Sequence, residues 1–244
     1  MTMTANPAAA VVIDDDPDVR SLLVDVLRGA GFDTVDVDNG TDGIAAVREH
    51  NPIITTVDVD MPGIDGFETV RRIREISSTV VVIITAANDE ASAVLAFGVG
   101  ADDVVVKPFR ARELRARLGA LTRRSQGTPL PQVPEQSAMP EGLRINRSAR
   151  TVAVDGADVS LTRSEFDLLV TLFGNPGRVL SRADLVTALY GDDYIPPGGV
   201  TAADERAIET HITNLRKKLG QNAANPRFIE TVRGVGYRAI MAGG

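Results

Sequence analysis

Five short apolar runs alternate with helical segments over the first half of the chain, and this alternation limits the fold more than any other feature. The runs cover residues 8–13, 34–37, 53–57, 80–85 and 104–106. Apolar residues recur with helical spacing over residues 19–28, 43–50, 67–76, 91–97 and 111–121. Strands that alternate with helices form a parallel sheet with helices on both faces. The first half is therefore predicted to be a five-stranded α/β domain.

A proline-rich segment separates this half from the rest of the chain. Residues 122–141 contain four prolines and lack apolar periodicity, which is typical of a linker. We therefore predict a first domain at residues 8–121 and a second at residues 142–241. In the second domain, strands are predicted at residues 143–145, 151–154, 159–161, 228–232 and 236–240, and helices at residues 164–173, 181–188 and 206–219.

Composition excludes several classes of protein. The 244 residues include no cysteine, so disulfides and thiolate metal centres are excluded. No apolar run is long enough to span a bilayer, and the first residues lack the basic stretch of a signal peptide. We therefore expect a cytoplasmic protein with no membrane partner.

The net charge of −7 is unevenly distributed. Residues 1–121 carry 11 Lys+Arg against 20 Asp+Glu, whereas residues 141–244 carry 13 against 12. The second half can therefore still present a basic face to a nucleic acid.

Acidic residues follow two of the predicted strands of the first domain. The residues at these strand ends that can carry chemistry are Asp14, Asp15, Asp58, Asp60, Thr85 and Lys107. In doubly wound sheets the functional site lies beyond the carboxyl ends of the strands. Clustered carboxylates take up protons or bind a cation, and oxygen ligands suit Mg²⁺. A lysine and a threonine hydroxyl can both bind phosphate oxygens, so these residues favour phosphoryl transfer to a carboxylate.

The same strand ends resemble the receiver domain of two-component response regulators. The matching stretches are residues 11–16, 58–63, 85–86 and 107–109. The resemblance implies a flavodoxin-like (βα)5 fold in which Asp58 is the phosphoacceptor and Thr85 and Lys107 contact the phosphoryl group. It also implies a cis bond before Pro108 and a sensor histidine kinase as phosphodonor. Mg²⁺ ligands are implied at Asp14, Asp15, Asp58 and, through its backbone carbonyl, Asp60.

An enzyme interpretation competes with this one. Asp58 and Asp60 after an apolar strand also resemble the nucleophile strand of haloacid-dehalogenase-type phosphatases, in which the second aspartate is a general acid. That motif normally follows the first strand, and the interpretation leaves Asp14 and Asp15 unexplained. We therefore expect no enzyme. The nearby Asp16 precedes a proline and is interpreted as a helix N-cap.

The predicted helix at residues 206–219 has one apolar stripe and one polar face. The stripe comprises Ile208, Ile212, Leu215 and Leu219, which is the spacing of a single buried face. The candidate DNA-contacting residues of the helix are Arg206, Thr210, Thr213, Asn214 and Lys217. A polar and basic helix face can enter the major groove of DNA.

The end of the chain resembles the winged-helix effector domain of the OmpR/PhoB family. The matching stretches are residues 161–169, 211–219 and 231–238. An α+β winged-helix domain is implied, with further DNA contacts at Thr231 and Arg233. An arginine at the tip of a hairpin suits a narrow minor groove. The resemblance implies a DNA-binding transcriptional regulator with double-stranded DNA as partner, a homodimer on DNA, and RNA polymerase as a further candidate partner.

Three features depart from the family pattern. Val104 occupies a position that is usually aromatic, and Leu95 and Gly98 stand where charged residues usually pair two receivers. The loop at residues 192–205, before the helix, is longer than usual. Because of this loop, contacts to RNA polymerase cannot be assumed, and because of Val104, Leu95 and Gly98 we expect weak pairing through the receiver. A DNA-binding regulator whose receiver is constitutive or independent of phosphorylation remains an alternative.

Overall fold

The chain divides into two compact units, Met1–Gln126 and Gly127–Gly244. The computed structural model describes residues 8–87, 89–125, 133, 139–191, 199–221 and 224–242. Most of the predicted linker and residues 192–198 of the predicted long loop lie outside the described residues. Among the helices that are described, none combines the length and the apolar character that crossing a membrane requires.

In the first unit, the residues that the structure describes alternate five strands with five helices. The elements are β1 (Ala9–Ile13), α1 (Pro17–Gly29), β2 (Asp33–Val37), α2 (Gly40–His50), β3 (Ile54–Asp58), α3 (Gly66–Ile76), β4 (Val80–Thr85), α4 (Glu90–Gly98), β5 (Asp103–Val106) and α5 (Ala111–Ser125). All neighbouring strands are parallel, in the order β2-β1-β3-β4-β5. The predicted five-stranded parallel sheet is confirmed, and α5 continues beyond its predicted end at residue 121.

Helices cover this sheet because alternate strand residues point to opposite faces. On one face Ile13 and Val81 pack in a single cluster with Val47 of α2, Ile73 of α3 and Ala96 of α4. Helix α1 packs against β1 and α5. Strands β1, β3 and β4 are thus almost entirely buried, and the polar side chains at their carboxyl ends lie on a packed sheet.

The described residues of the second unit form two small antiparallel sheets and three helices. Its elements are β6 (Leu143–Asn146), β7 (Thr151–Val154), β8 (Ala157–Val159), α6 (Arg163–Phe173), α7 (Arg182–Tyr190), α8 (Ala202–Lys218), β9 (Ile229–Val232) and β10 (Gly236–Ala239). The sheets are β6-β7-β8 and the β9-β10 hairpin, and the three helices pack on one another. Leu180 joins β10 through an isolated antiparallel bridge to Tyr237.

The structure corrects two predicted element bounds. Strand β8 ends at Val159 instead of spanning residues 159–161, because Asp155 and Gly156, at φ +52° and +85°, form a two-residue hairpin turn after β7. Helix α8 begins at Ala202 instead of residue 206, because Thr201 and Asp204 form a capping box. Residues 202–205 are therefore helical and do not belong to the predicted loop.

Candidate functional site

The strand order brings the predicted carboxylates of the first unit together. Strands β1 and β3 are neighbours in the middle of the sheet, so Asp14, directly after β1, lies beside Asp58 at the end of β3. The order of the strands reverses direction here, which makes this edge the switch point where sites form in open parallel sheets. Both carboxylates are buried, whereas Asp15 is exposed.

Lys107 bridges the two buried carboxylates. Its Nζ lies 2.5 Å from Asp58 Oδ1 and 3.2 Å from Asp14 Oδ2. The backbone N–H of Asp60 donates to the other Asp58 oxygen, Oδ2, at 2.9 Å, while the Asp60 side chain is exposed. The predicted phosphoacceptor therefore has a fixed orientation in which one oxygen faces a cation.

Burial and charge shift two pKa values in this cluster. Burial raises the pKa of Asp14 above its usual 3.8, the Lys107 ammonium opposes that rise, and the Asp58 charge adds to it. For Lys107, burial alone lowers the pKa, but the hydrogen bond to Asp58 and the charges of both aspartates outweigh burial and raise it above 10.5. Lys107 is thus an ammonium cation shared by two carboxylates, and the cluster keeps an excess of negative charge.

This excess fits a divalent cation. Asp14, Asp15 and Asp58 each offer a carboxylate oxygen, and these oxygens lie within 4.8 Å of one another. An all-oxygen donor set at a rim that is partly open to water is the kind that Mg²⁺ accepts. The acidic cluster is therefore a candidate metal centre on its donor chemistry.

The ends of β4 and β5 complete the site. Thr85 is buried, and its Oγ1 accepts a hydrogen bond from the backbone N–H of Ala87 at 3.0 Å, so its own hydroxyl hydrogen can be donated to a ligand. The backbone N–H of Lys107 donates to the Thr85 carbonyl at 2.7 Å. The bond from Lys107 to Pro108 is cis, as predicted. Asp16 caps α1 through the N–H groups of residues 18 and 19, which also confirms its interpretation.

The departures from the family pattern lie on α4 and β5. Val104 is half-buried, and Leu95 is 48% exposed beside Val94 on α4. Asp103 of β5 accepts from Arg117 of α5, with both carboxylate oxygens at 3.0 Å from the same nitrogen. These two charges therefore already have a partner within the chain.

Helix α8 buries its apolar stripe as predicted and leaves a polar face outside. Ile208, Ile212, Leu215 and Leu219 are at most 1% exposed. Arg206, Thr213 and Lys217 are exposed, and Thr210 and Asn214 are half-buried. The five predicted DNA contacts of the helix thus share one face, opposite the stripe.

One residue of α8 has a role that the sequence interpretation missed. Arg216 is buried, and its guanidinium donates to the Ile229 carbonyl at 3.1 Å and to Thr231 Oγ1 at 2.8 Å. It also lies 5.5 Å from the ring centre of Tyr237. Arg216 therefore fastens α8 to the β9-β10 hairpin. The sequence did indicate that Arg216 is buried, because it lies four residues after Ile212 and therefore beside the buried stripe.

The hairpin presents the two remaining predicted contacts. Arg233 is exposed in the turn between β9 and β10, where Gly234 has φ +73°. Thr231 is exposed while its hydroxyl oxygen accepts from Arg216. Gly236 serves close packing, because a Cβ there would overlap the Leu180 carbonyl. The tip is thus an exposed arginine on a hairpin that is anchored at its base.

Two family models match the chain, one in each unit. Residues 10–119 match the response regulator receiver domain, and residues 156–239 match the C-terminal domain of transcriptional regulatory proteins. With the fold and the acidic cluster described above, and the relatives that follow, these matches show that the chain belongs to the DNA-binding response regulators of the OmpR/PhoB type. This is a family of transcription factors, so the phosphatase interpretation is not supported.

Particular relatives cover almost the whole chain. The DNA-binding response regulator MtrA of Mycolicibacterium smegmatis is 38% identical over 94% of this chain and 95% of its own length. The transcriptional regulatory protein AfsQ1 of Streptomyces coelicolor is 38% identical over 93% and 96%. Both relatives thus contain the two units in one chain.

Solved structures agree on the fold. The response regulator DrrB of Thermotoga maritima, an OmpR/PhoB homologue, is 28% identical, with a TM-score of 0.50 over 96% of this chain and 99% of its own. A mutant of RitR has a TM-score of 0.72 over the same shares at 21% identity, which supports the fold alone.

Proposed function

We propose that this chain is a transcriptional regulator of a two-component system that is switched by phosphorylation of Asp58. The observation that carries the proposal is the pair of buried carboxylates, Asp58 and Asp14, which share Lys107 at the switch point of the sheet in a chain whose family pairs a receiver with a DNA-binding domain. A sensor histidine kinase is the proposed phosphodonor, and the cytoplasm is the proposed location.

The chain's own residues supply most of what phosphoryl transfer requires. An Asp58 carboxylate oxygen forms a bond to phosphorus while the bond from phosphorus to the donor breaks. Lys107, now 2.5 Å from Asp58, pairs with a phosphoryl oxygen, and the Thr85 hydroxyl donates to another. Asp14, Asp15, Asp58 and the Asp60 carbonyl would hold a Mg²⁺, which would supply positive charge to offset the three carboxylates next to an incoming phosphoryl group.

The second unit is proposed to bind double-stranded DNA through two elements. The polar face of α8 enters the major groove, with Arg206, Thr210, Thr213, Asn214 and Lys217 as contacts. Arg233 at the hairpin tip reaches the minor groove, with Thr231 beside it. We propose that two copies pair on tandem DNA half-sites and only weakly through their receivers, and that RNA polymerase is a further partner.

The phosphorylation site is tested by mass measurement with acetyl phosphate and Mg²⁺. Asp58→Asn keeps the shape of the side chain but removes the nucleophile, so this variant is expected to gain no phosphoryl mass while the wild type gains one group. Asp25→Asn, an exposed carboxylate of α1, is the matched control and should label like the wild type. A phosphoryl gain in Asp58→Asn would sink the assignment.

A second measurement on the same labelled protein distinguishes this proposal from the alternative, a receiver that acts independently of phosphorylation. DNA binding of the labelled and unlabelled wild type is compared on a sequence selected from random DNA. The proposal expects labelling to tighten binding. Equal affinity of both forms, with labelling confirmed at Asp58, would favour the constitutive regulator, for which Val104 is the sequence argument.

A further inference from the structure

The centre of the exposed face of α8 carries two threonines and no full charge. Arg206 and Lys217 stand at its two ends, and Thr210, Thr213 and Asn214 lie between them. Basic residues at the ends suit the two phosphate backbones that border a groove, because phosphate contacts position a protein without reading sequence. The residues that face the bases are then the uncharged ones in the middle.

The hydroxyls of both threonines already donate to the backbone of the helix. Thr210 Oγ1 donates to the Arg206 carbonyl at 3.0 Å, and Thr213 Oγ1 donates to the Glu209 carbonyl at 2.8 Å. A hydroxyl has a single hydrogen, so neither group has a donor left for a base. Such a bond holds the oxygen beside the preceding turn and leaves the γ-methyl in another staggered position of the side chain.

The negative charge of Glu209, beside the exposed face of α8, is compensated by an ion pair. Glu209 lies four residues before Thr213 on the helix and would repel the phosphates of DNA. It forms an ion pair with Arg182 of α7. The middle of the face therefore lies between two cations and combines a neutralised acid with two threonine methyl groups and the amide of Asn214.

We propose that Thr213, with Thr210 one turn earlier, reads the 5-methyl group of thymine in the major groove. This methyl is the one apolar feature by which the major-groove edge of an A·T pair is distinguished, and a threonine methyl can contact it. The inference rests on the proposed DNA binding and names the feature of the DNA that the helix recognises. It makes Thr213 a specificity-determining residue through its methyl group and not through its hydroxyl.

The test replaces thymine by uracil, which removes only the methyl. A binding sequence is first selected from random double-stranded DNA with the full-length chain, and each thymine is then replaced singly by deoxyuridine. We expect one or two positions at which the replacement weakens binding about three- to fivefold, the effect of one buried methyl-sized group. At one of those positions at least, Thr213→Ser, which lacks the methyl, should bind thymine and uracil probes equally.

Thr213→Val is the matched control because it keeps the methyl and removes the hydroxyl. It should retain both the affinity and the sensitivity to uracil. The proposal is overturned if no single thymine shows the effect, if Thr213→Ser keeps it, or if Thr213→Val changes base preference. A failure to select any sequence would instead contradict DNA binding itself, so the two failures are distinguishable. Both replacements lie at an exposed site, and valine, serine and threonine have similar helix propensities.

Discussion

At the scale of single residues, the burial of Asp14 makes its ionised form unfavourable for the stability of the fold. Asp14 is fully buried and shares the Lys107 ammonium with Asp58. Burial raises the pKa of Asp14 despite that cation. The folded protein therefore binds the Asp14 proton more tightly than the unfolded chain does, and ionising Asp14 costs folding free energy.

Asp14→Asn is expected to stabilise the metal-free protein at neutral pH, by on the order of 1 kcal/mol, because it replaces a buried charge by a neutral group. The stability of the wild type relative to the variant should fall as pH rises from about 3.8 through the raised pKa, and then level off. Urea unfolding of both proteins over this pH range measures the difference. A variant that is less stable at pH 7 would contradict the account.

Mg²⁺ is expected to reverse the order of stability, so that the wild type becomes more stable than Asp14→Asn. At ten times its dissociation constant it should stabilise the wild type by about 1.4 kcal/mol and leave Asp14→Asn nearly unchanged. Asp25→Asn, outside the cluster, serves as the control that responds like the wild type.

At the scale of elements, the first residue of α3 packs directly against the backbone of Asp58, the proposed phosphoacceptor, with no side chain between them. Gly66, the first residue of α3, donates its N–H to the Val59 carbonyl at 3.0 Å. A Cβ at Gly66 would overlap the Asp58 carbonyl and lie 2.7 Å from Val59 Cα. Both are backbone atoms, so no side chain can move away to make room.

Gly66→Ala is therefore expected to destabilise the first unit by about 1–3 kcal/mol, as overpacking does, and to slow labelling by acetyl phosphate. Gly98→Ala is the matched control: it ends α4 with no atom within 4 Å of the added Cβ, and alanine favours helix over glycine by up to about 1 kcal/mol. Denaturation midpoints and labelling rates measure both effects. Normal labelling by an equally stable Gly66→Ala protein would show that the loop after β3 has more room than the structure indicates.

At the scale of the whole molecule, charges that could join two copies are already paired within one. Arg117 is only 13% exposed and holds Asp103, and Arg74 holds Asp102 at 2.6 Å. Leu95 on α4 offers an apolar surface in place of a charge. We therefore expect two DNA-binding units on tandem half-sites to contribute more to pairing than the receivers do.

We therefore expect the full-length chain to stay monomeric at low micromolar concentration after phosphorylation, with a dissociation constant on the order of 10 µM or weaker. Sedimentation of the labelled protein without DNA measures this, and the unlabelled protein is the control. A tight dimer would contradict the expectation and would mean that Leu95 and Val94 form an apolar contact in place of the missing ion pairs.

Features that depend on neighbours within about four residues could be predicted from the amino-acid sequence alone. Strand and helix periods predicted the parallel sheet, and Asp16 before Pro17 predicted the start of α1. The T-x-x-D pattern at Thr201 was also local and predicts a capping box, which would have placed the start of α8 correctly. The order of the strands could be predicted only through the family resemblance. The carboxylates at the strand ends nevertheless indicated at which edge of the sheet the acidic cluster lies.

The packing of distant elements against α8 sets which of its polar side chains face outward and which hydrogen-bonding groups remain available on them. Arg216 is drawn inward by the Ile229 carbonyl and Thr231, and Lys218 is held by Glu165 at 2.6 Å. These partners lie 13 to 53 residues away along the chain. The spacing of residues along a helix does not indicate which distant element packs against it or what charge that element carries. The number of basic residues in α8 therefore overestimates how many of them are available to DNA.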